Sequence, residues 1–212
     1  MKRLLQKFVL PSAGNIHPNY CNFAGWSFAS NIVVSIQSVL STHSMLSVIN
    51  QSSSNALASM NYVGKDAVGQ LGSMLYMSKM ATYADNNSKK FIKHSVALQQ
   101  GALLFECALP FFPVEYFILG AGLSNTAKGL SFTGFGAVNA KAIATLSSGK
   151  GVQVGEMYSK LAMVNTMGST IGLGIGLGIV TAIPDHAMRM CLMPVFASIR
   201  YWTLQKSLEG IL

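Results

Sequence analysis

The chain has 212 residues, 50% of them apolar and only 10% charged, with a mean hydropathy of +0.41. Lys and Arg number 15 against 7 Asp and Glu, a formal net charge of +8. Soluble domains carry about a quarter charged residues, which excludes an ordinary water-exposed fold, and the basic residues are too scattered and too free of interleaved aromatics for a nucleic-acid surface.

The length suits a single domain over residues 1–212, with room for about six helices of about 20 residues. The basic start MKRLLQKFVL is interrupted by Gln6 and Lys7 where a signal peptide would need an unbroken apolar core. An uncleaved basic start before an internal hydrophobic segment suits insertion into an organellar membrane. From residue 8 to residue 64 there is no Asp, Glu, Lys or Arg, a tract long enough to cross a bilayer twice.

The first predicted span is Phe23 to Ile49. Ser27, Asn31, Ser35, Ser38 and Thr42 recur along it at helical spacing and draw a polar seam suited to close helix packing. After the uncharged loop NQSSSN, a second span is expected over Ala56 to Ala84, containing Lys65, Asp66 and Lys79 with Gly64, Gly69 and Gly72. The lysine-bearing break DNNSKKFIK follows, then a third span over Ser95 to Phe112, ended by Pro110 and Pro113. A fourth starts near Val114, and Gly129, Gly134 and Gly136 predict a kink or break in it. Asn139 to Lys160 reads as an interfacial helix and a loop, and the fifth span as Leu161 to Ile183, ended by Pro184. The sixth covers Ala187 to Leu204, kinked at Pro194. The fold class is therefore all-α: a multi-pass transmembrane bundle of about six spans with glycine-mediated packing.

Charge placement supports an even number of spans. Lys2, Arg3, Lys7, Lys89, Lys90, Lys93, Lys141, Lys150, Lys160 and Lys206 fall on one side, and Glu115, Asp185 and Arg189 on the other. Both termini then lie on the basic, matrix-like side. Lys89, Lys90 and Lys93 are positioned to meet anionic lipid headgroups such as cardiolipin.

The run GSTIGLGIGLGI lacks the third glycine of a dinucleotide loop. Its spacing instead puts Gly168, Gly172 and Gly176 on one helical face, a doubled small-xxx-small packing motif. Cys21, Cys107 and Cys191 have no paired spacing and read as plain buried thiols. His17, His43, His94 and His186 form no metal-ligand pattern. No catalytic, cofactor or metal site is expected.

The segment Asn61-Tyr-Val-Gly-Lys65-Asp66-Ala-Val-Gly69-Gln-Leu-Gly72 is the informative one, because charges within a span are expensive. Lys65 and Asp66 are adjacent on a helix and point about 100° apart, so each needs another partner. Lys128, Lys141, Glu106 and Glu115 are the available countercharges, with Asp66 to Lys128 the preferred pair. Two readings follow: a buried ionic latch that fixes helix register, or part of a substrate or ion pathway.

This segment resembles the root UVB sensitive protein family, in a stretch close to N-W-V-L-K-D-G-L-G-R-L-G. The matching residues are Asn61, Val63, Lys65, Asp66, Gly69, Leu71 and Gly72. Upstream, the Val39 to Leu46 pattern and its Pro-containing lead are similar to the family's opening. Downstream, Asn125, Lys128, Gly129, Ser131, Gly134, Gly136 and Ala137 resemble a K-G-x-S-x-x-x-G-G-A pattern. The likeness covers about residues 10–184. Gln70 replaces a basic residue, and the polar stretch expected before the glycine-rich span has no counterpart in Val154 to Ala162. Family members usually continue with a soluble C-terminal region. The resemblance implies an organellar membrane protein, best known from plants, without established catalytic chemistry.

The expected function is a non-catalytic accessory subunit of a larger mitochondrial inner-membrane complex, a respiratory complex or ATP synthase, in contact with other membrane subunits and anionic phospholipid. A plastid membrane is the alternative location. The alternative function is a small-molecule or ion transporter using Asn61, Lys65, Asp66, Gly69, Gly72, Asn125 and Lys128.

Overall fold

The structure, a computed structural model, describes residues 10, 17–49, 63–64, 66–67, 70, 87–147 and 153–211. Among them are five α-helices and no strands: α1 Tyr20–Ile49, α2 Ser88–Ala108, α3 Phe117–Ser147, α4 Val154–Ala182 and α5 His186–Leu208. Val63, Gly64, Asp66, Ala67 and Gln70, from the expected second span, are helical, and the rest of that span lies outside the described residues. Two helices, α1 and α4, are long and apolar enough to cross a membrane.

The stops are set by proline chemistry. α2 gives way to 3-10 turns at Leu109–Phe111 and Val114–Tyr116, around Pro110 and Pro113, neither of which can donate to a helical ladder. Ile183, turned out of the helical region at φ −123° and ψ 86° ahead of Pro184, closes α4. Asp185 then opens α5, its carboxylate accepting from the Ala187 amide at 3.1 Å. α5 continues through Pro194 to Leu208, and the chain then turns at Gly210, whose φ of 79° suits a residue without a Cβ. The Asn19 side-chain amide donates to the Gly210 carbonyl at 2.8 Å, tying the start of α1 to the end of α5.

α1 is the centre of the bundle and packs along α4, α5 and α2. Several of its polar side chains donate within the helix: Asn31 to the Ser27 carbonyl, Ser38 to Val34, Ser44 to Leu40 and Ser47 to Ser44. This frees the seam for close contact, and α4 meets it with glycine. A Cβ on Gly168 would lie 2.7 Å from the Phe28 carbonyl oxygen and one on Gly176 2.8 Å from Val39 Cβ. At Gly172 it would overlap the Ile32 carbonyl. Gly174 and Gly178 face open space.

Two expectations are corrected. The glycines at 129, 134 and 136 do not break α3, which is one helix from Phe117 to Ser147. A Cβ on Gly134 would collide with the Ser95 side chain of α2, so this glycine serves a helix contact whose packing offsets its roughly 1 kcal/mol helix penalty. Nor do Asn139 to Ser147 form a separate interfacial helix, since they are the end of α3.

Side-chain placement is inverted relative to a water-exposed protein. Arg189, Arg200, Glu106, Gln37 and Gln99 are buried, whereas Leu173, Leu177, Val195 and Trp202 are exposed. Cys21 and Cys191 are exposed too, a correction to their expected burial; only Cys107 is buried.

Candidate functional site

The site begins where α2 and α3 run antiparallel. Glu106 on α2 is fully buried, and the Lys128 ammonium on α3 lies 2.5 Å from its Oε1, with 19% of the lysine side chain exposed. Glu106 Oε2 has no hydrogen-bond partner among the described residues. One turn earlier on α3, the Asn125 amide donates to Asp66 at 3.1 Å. Lys128 therefore pairs with Glu106, not with Asp66 as preferred from sequence, because antiparallel packing brings these two charges together. Asp66 is placed beside α3 and met there by Asn125. Asn61, Lys65, Gly69 and Gly72 lie outside the described residues.

The polar seam continues into the contact of α2 with α1. Gln37 donates to Gln100 at 2.5 Å, and the other buried amide atoms, Gln37 Oε1, Gln99 Oε1 and Gln100 Nε2, have no hydrogen-bond partner among the described residues. Ser124 of α3 donates to the Ala102 carbonyl of α2 at 3.4 Å. Gln99, Gln100 and Glu106 thus make a polar track along α2, which Lys128 meets from α3 and Gln37 from α1. Buried polar groups are normally paired, so leftover acceptors and donors in one track mark it as suited to a polar guest.

A second cluster lies at the end of the bundle where α1 ends and α5 begins. Arg189, expected as a loop charge, is fully buried. Its Nη2 donates to the Pro184 carbonyl at 3.0 Å and its Nε to the Asp185 carbonyl at 3.4 Å. Nη1 meets His43 Nδ1 at 2.6 Å and Nη2 meets His186 Nδ1 at 2.9 Å. A guanidinium only donates, so both Nδ1 atoms accept and both rings are neutral, protonated at Nε2. Burial, then the charge of Arg189, then His43 hold the His186 pKa below its ordinary value, against an opposing pull from Asp185. The sequence signal was a short one: Arg189 stands one helical turn after the cap residue Asp185 and three residues after His186.

A third feature is Arg200 of α5, buried to 6% exposure, donating to Ser30 of α1 and lying 5.3 Å from the Phe135 ring centroid. Its Nε has no hydrogen-bond partner among the described residues. Trp202, two residues on, stands edge-to-face on Trp26 at 4.8 Å.

Of the expected headgroup lysines, Lys90 and Lys93 are exposed on the first turns of α2, and Lys89 is the second residue of that helix. Among the described residues no group of three or more His, Cys, Asp or Glu could hold a metal.

The vitamin B6 photo-protection and homoeostasis domain matches residues 1–211. The chain is similar to three proteins of Arabidopsis thaliana. It is 31% identical to protein root UVB sensitive 4 over 129 residues, 59% of this chain and 24% of that protein. Identity to protein root UVB sensitive 5 is 25%, over 60% of this chain and 27% of the relative. For protein root UVB sensitive 3 it is 27%, over 63% and 30%. The chain thus spans less than a third of the length of these curated relatives. No solved structure matches it.

Proposed function

Because the chain belongs to the vitamin B6 photo-protection and homoeostasis family, we propose that it is a non-catalytic, membrane-embedded carrier that contributes to B6 homoeostasis by holding a B6 vitamer in the polar track between α2 and α3. The observation that carries the reading is the buried Glu106–Lys128 pair with its spare carboxylate oxygen, beside Asn125 and Asp66. B6 vitamers have a pyridine ring that ionises with both signs and bears hydroxyl groups. A carboxylate, an ammonium and neutral amides along one track complement that pattern. Embedding is supported by the two long apolar helices and by the inverted placement of polar and apolar side chains.

The test uses the full chain in lipid nanodiscs. Binding of pyridoxal, pyridoxine and pyridoxamine is followed by vitamer absorbance, and uptake is followed in proteoliposomes. Saturable binding by the native chain, weakened at least about tenfold in Glu106→Gln and Asp66→Asn, is expected, a loss of about 1.4 kcal/mol or more. Binding no greater than that of empty nanodiscs, or unchanged in both variants, refutes the reading.

A second reading, an accessory subunit of a mitochondrial inner-membrane complex in contact with other subunits and cardiolipin, draws support from the exposed apolar side chains Phe111, Phe112 and Tyr116 between α2 and α3 and Leu119 in the first turn of α3. Native electrophoresis in mild detergent separates the two. Migration within one defined large assembly supports the second reading, and migration as a single chain in its micelle removes it.

A further inference from the structure

Where α2 begins and α5 ends, the bundle carries a cavity of about 380 Å³. It lies at the opposite end from the Arg189 cluster and apart from the Glu106 track. Its inner wall is apolar, built by Ile92 and Val96 of α2 and Leu204 of α5. Two lysines line it, Lys93 from α2 and Lys206 from α5, and so does Trp202. Lys93 is exposed and has no ion-pair partner among the described residues. Lys206 is paired with Glu209 at 2.8 Å, but the two side chains are 41% and 64% exposed, and a pair this open to solvent is weak and readily exchanged. Trp202 is held by its edge contact with Trp26, yet half of its surface stays open.

We infer that this cavity binds a phosphate ester with an apolar or aromatic body, the phosphate between Lys93 and Lys206 and the body against Val96, Leu204 and Trp202. Two lysines against one carboxylate, Glu209, line a cavity whose inner wall is apolar, a net positive lining that favours an anion with an apolar body over a bare inorganic ion or a neutral amphiphile. The volume falls in the range of small-molecule sites, about 300–1,000 Å³. A phosphate offers Lys206 a partner that Glu209 does not, since its non-bridging oxygens can meet both ammonium groups at once. Lys90, one turn before Lys93 on the same helix, adds positive potential at the mouth. The same chemistry is presented by the headgroup of an anionic phospholipid and by a soluble aromatic phosphate ester. The site stands independently of whether the α2–α3 track holds a vitamer.

The full chain in detergent is titrated with dioctanoyl phosphatidylglycerol, dioctanoyl phosphatidylcholine, pyridoxal 5′-phosphate and inorganic phosphate. Tryptophan fluorescence is the readout, because the chain has two tryptophans, in contact with each other. Saturable change with phosphatidylglycerol alone assigns a lipid headgroup, and change with pyridoxal 5′-phosphate alone assigns the soluble ester; either supports the inference. The combined Lys93→Met and Lys206→Met variant is expected to bind at least about tenfold more weakly, and Lys93→Arg to retain binding. Both lysines are solvent-facing, and an unchanged far-ultraviolet helix signal shows that the variants fold. The inference is overturned if phosphatidylcholine binds as well as phosphatidylglycerol, if inorganic phosphate alone gives the whole response, or if the double variant binds like the native chain.

Discussion

Two glycines two residues apart on α4 should respond to the same substitution with opposite sign. In Gly172→Ala the new methyl would overlap the Ile32 carbonyl and stand 2.8 Å from Ser35 Cβ. Both are fixed parts of α1, so neither can rotate away and the helices must separate. Overpacking costs about 1–3 kcal/mol, and contact with backbone puts this site at the upper end. The gain in helix propensity from Gly to Ala is about 1 kcal/mol, leaving a net loss of about 2 kcal/mol. In Gly174→Ala the methyl meets nothing within 4 Å, so only the gain of about 1 kcal/mol remains. The two variants should therefore differ by about 3 kcal/mol, or roughly 6–12 °C in melting midpoint at about 2–4 °C per kcal/mol for a chain of this size. Differential scanning fluorimetry in one detergent, with both variants beside the native chain, measures it. Shifts of equal sign, or a difference below about 2 °C, would show that α4 does not press on α1 through Gly172.

Lys128→Met leaves Glu106 buried without its cation and should lose about 3–5 kcal/mol, most of it recovered when Glu106→Leu is added; a double-mutant cycle on melting midpoints checks this. The exchanged pair Glu106→Lys with Lys128→Glu should restore stability if the pair acts as a latch, but not vitamer binding if it also contacts the guest. Because the folded-state pKa of His186 is lowered, the unfolded chain binds the proton first as pH falls. Its contribution is intact above about 6.5 and lost progressively below it, and a melting series from about pH 5 to 8 should flatten in His186→Gln. Asp185→Ala removes the cap on Ala187 and should cost about 1 kcal/mol, read by the same assay.

The helices were legible because prolines and lysine-rich breaks punctuate them: α1, α4 and α5 start or end within a few residues of the sequence boundaries. Partner choice was harder to read. Lys128 and Glu106 were both visible as countercharges, yet which one meets which is set by the antiparallel register of α2 and α3, which depends on the tight turn after Ala108 and on the Gly134–Ser95 contact. Glycine spacing at 129, 134 and 136 suggested a break because local propensity was weighed without the neighbouring helix, and tertiary packing overrides propensity. The Arg189 cluster was missed for a different reason. His43 and His186 are far apart in sequence, and only the packing of α1 against α5 places their rings 6.0 Å apart.

Arg189 and Arg200 are both buried on α5, about three helical turns apart, and neither has a carboxylate partner among the described residues. The protein meets the cost of a buried cation differently at each. Around Arg189 two carbonyls and two neutral imidazoles accept its donors. That arrangement fixes the α4–α5 turn against α1 and tolerates no added proton on either ring. Around Arg200 there are one hydroxyl and one aromatic face, with Nε left over. Arg189 is thus satisfied and structural, whereas Arg200 keeps unspent donor capacity two residues from Trp202 and the cavity it lines. On α5 the lower half, toward Lys206, is therefore where charge remains to be answered by something other than the fold itself. It is also the half that ends beside the exposed lysine of α2.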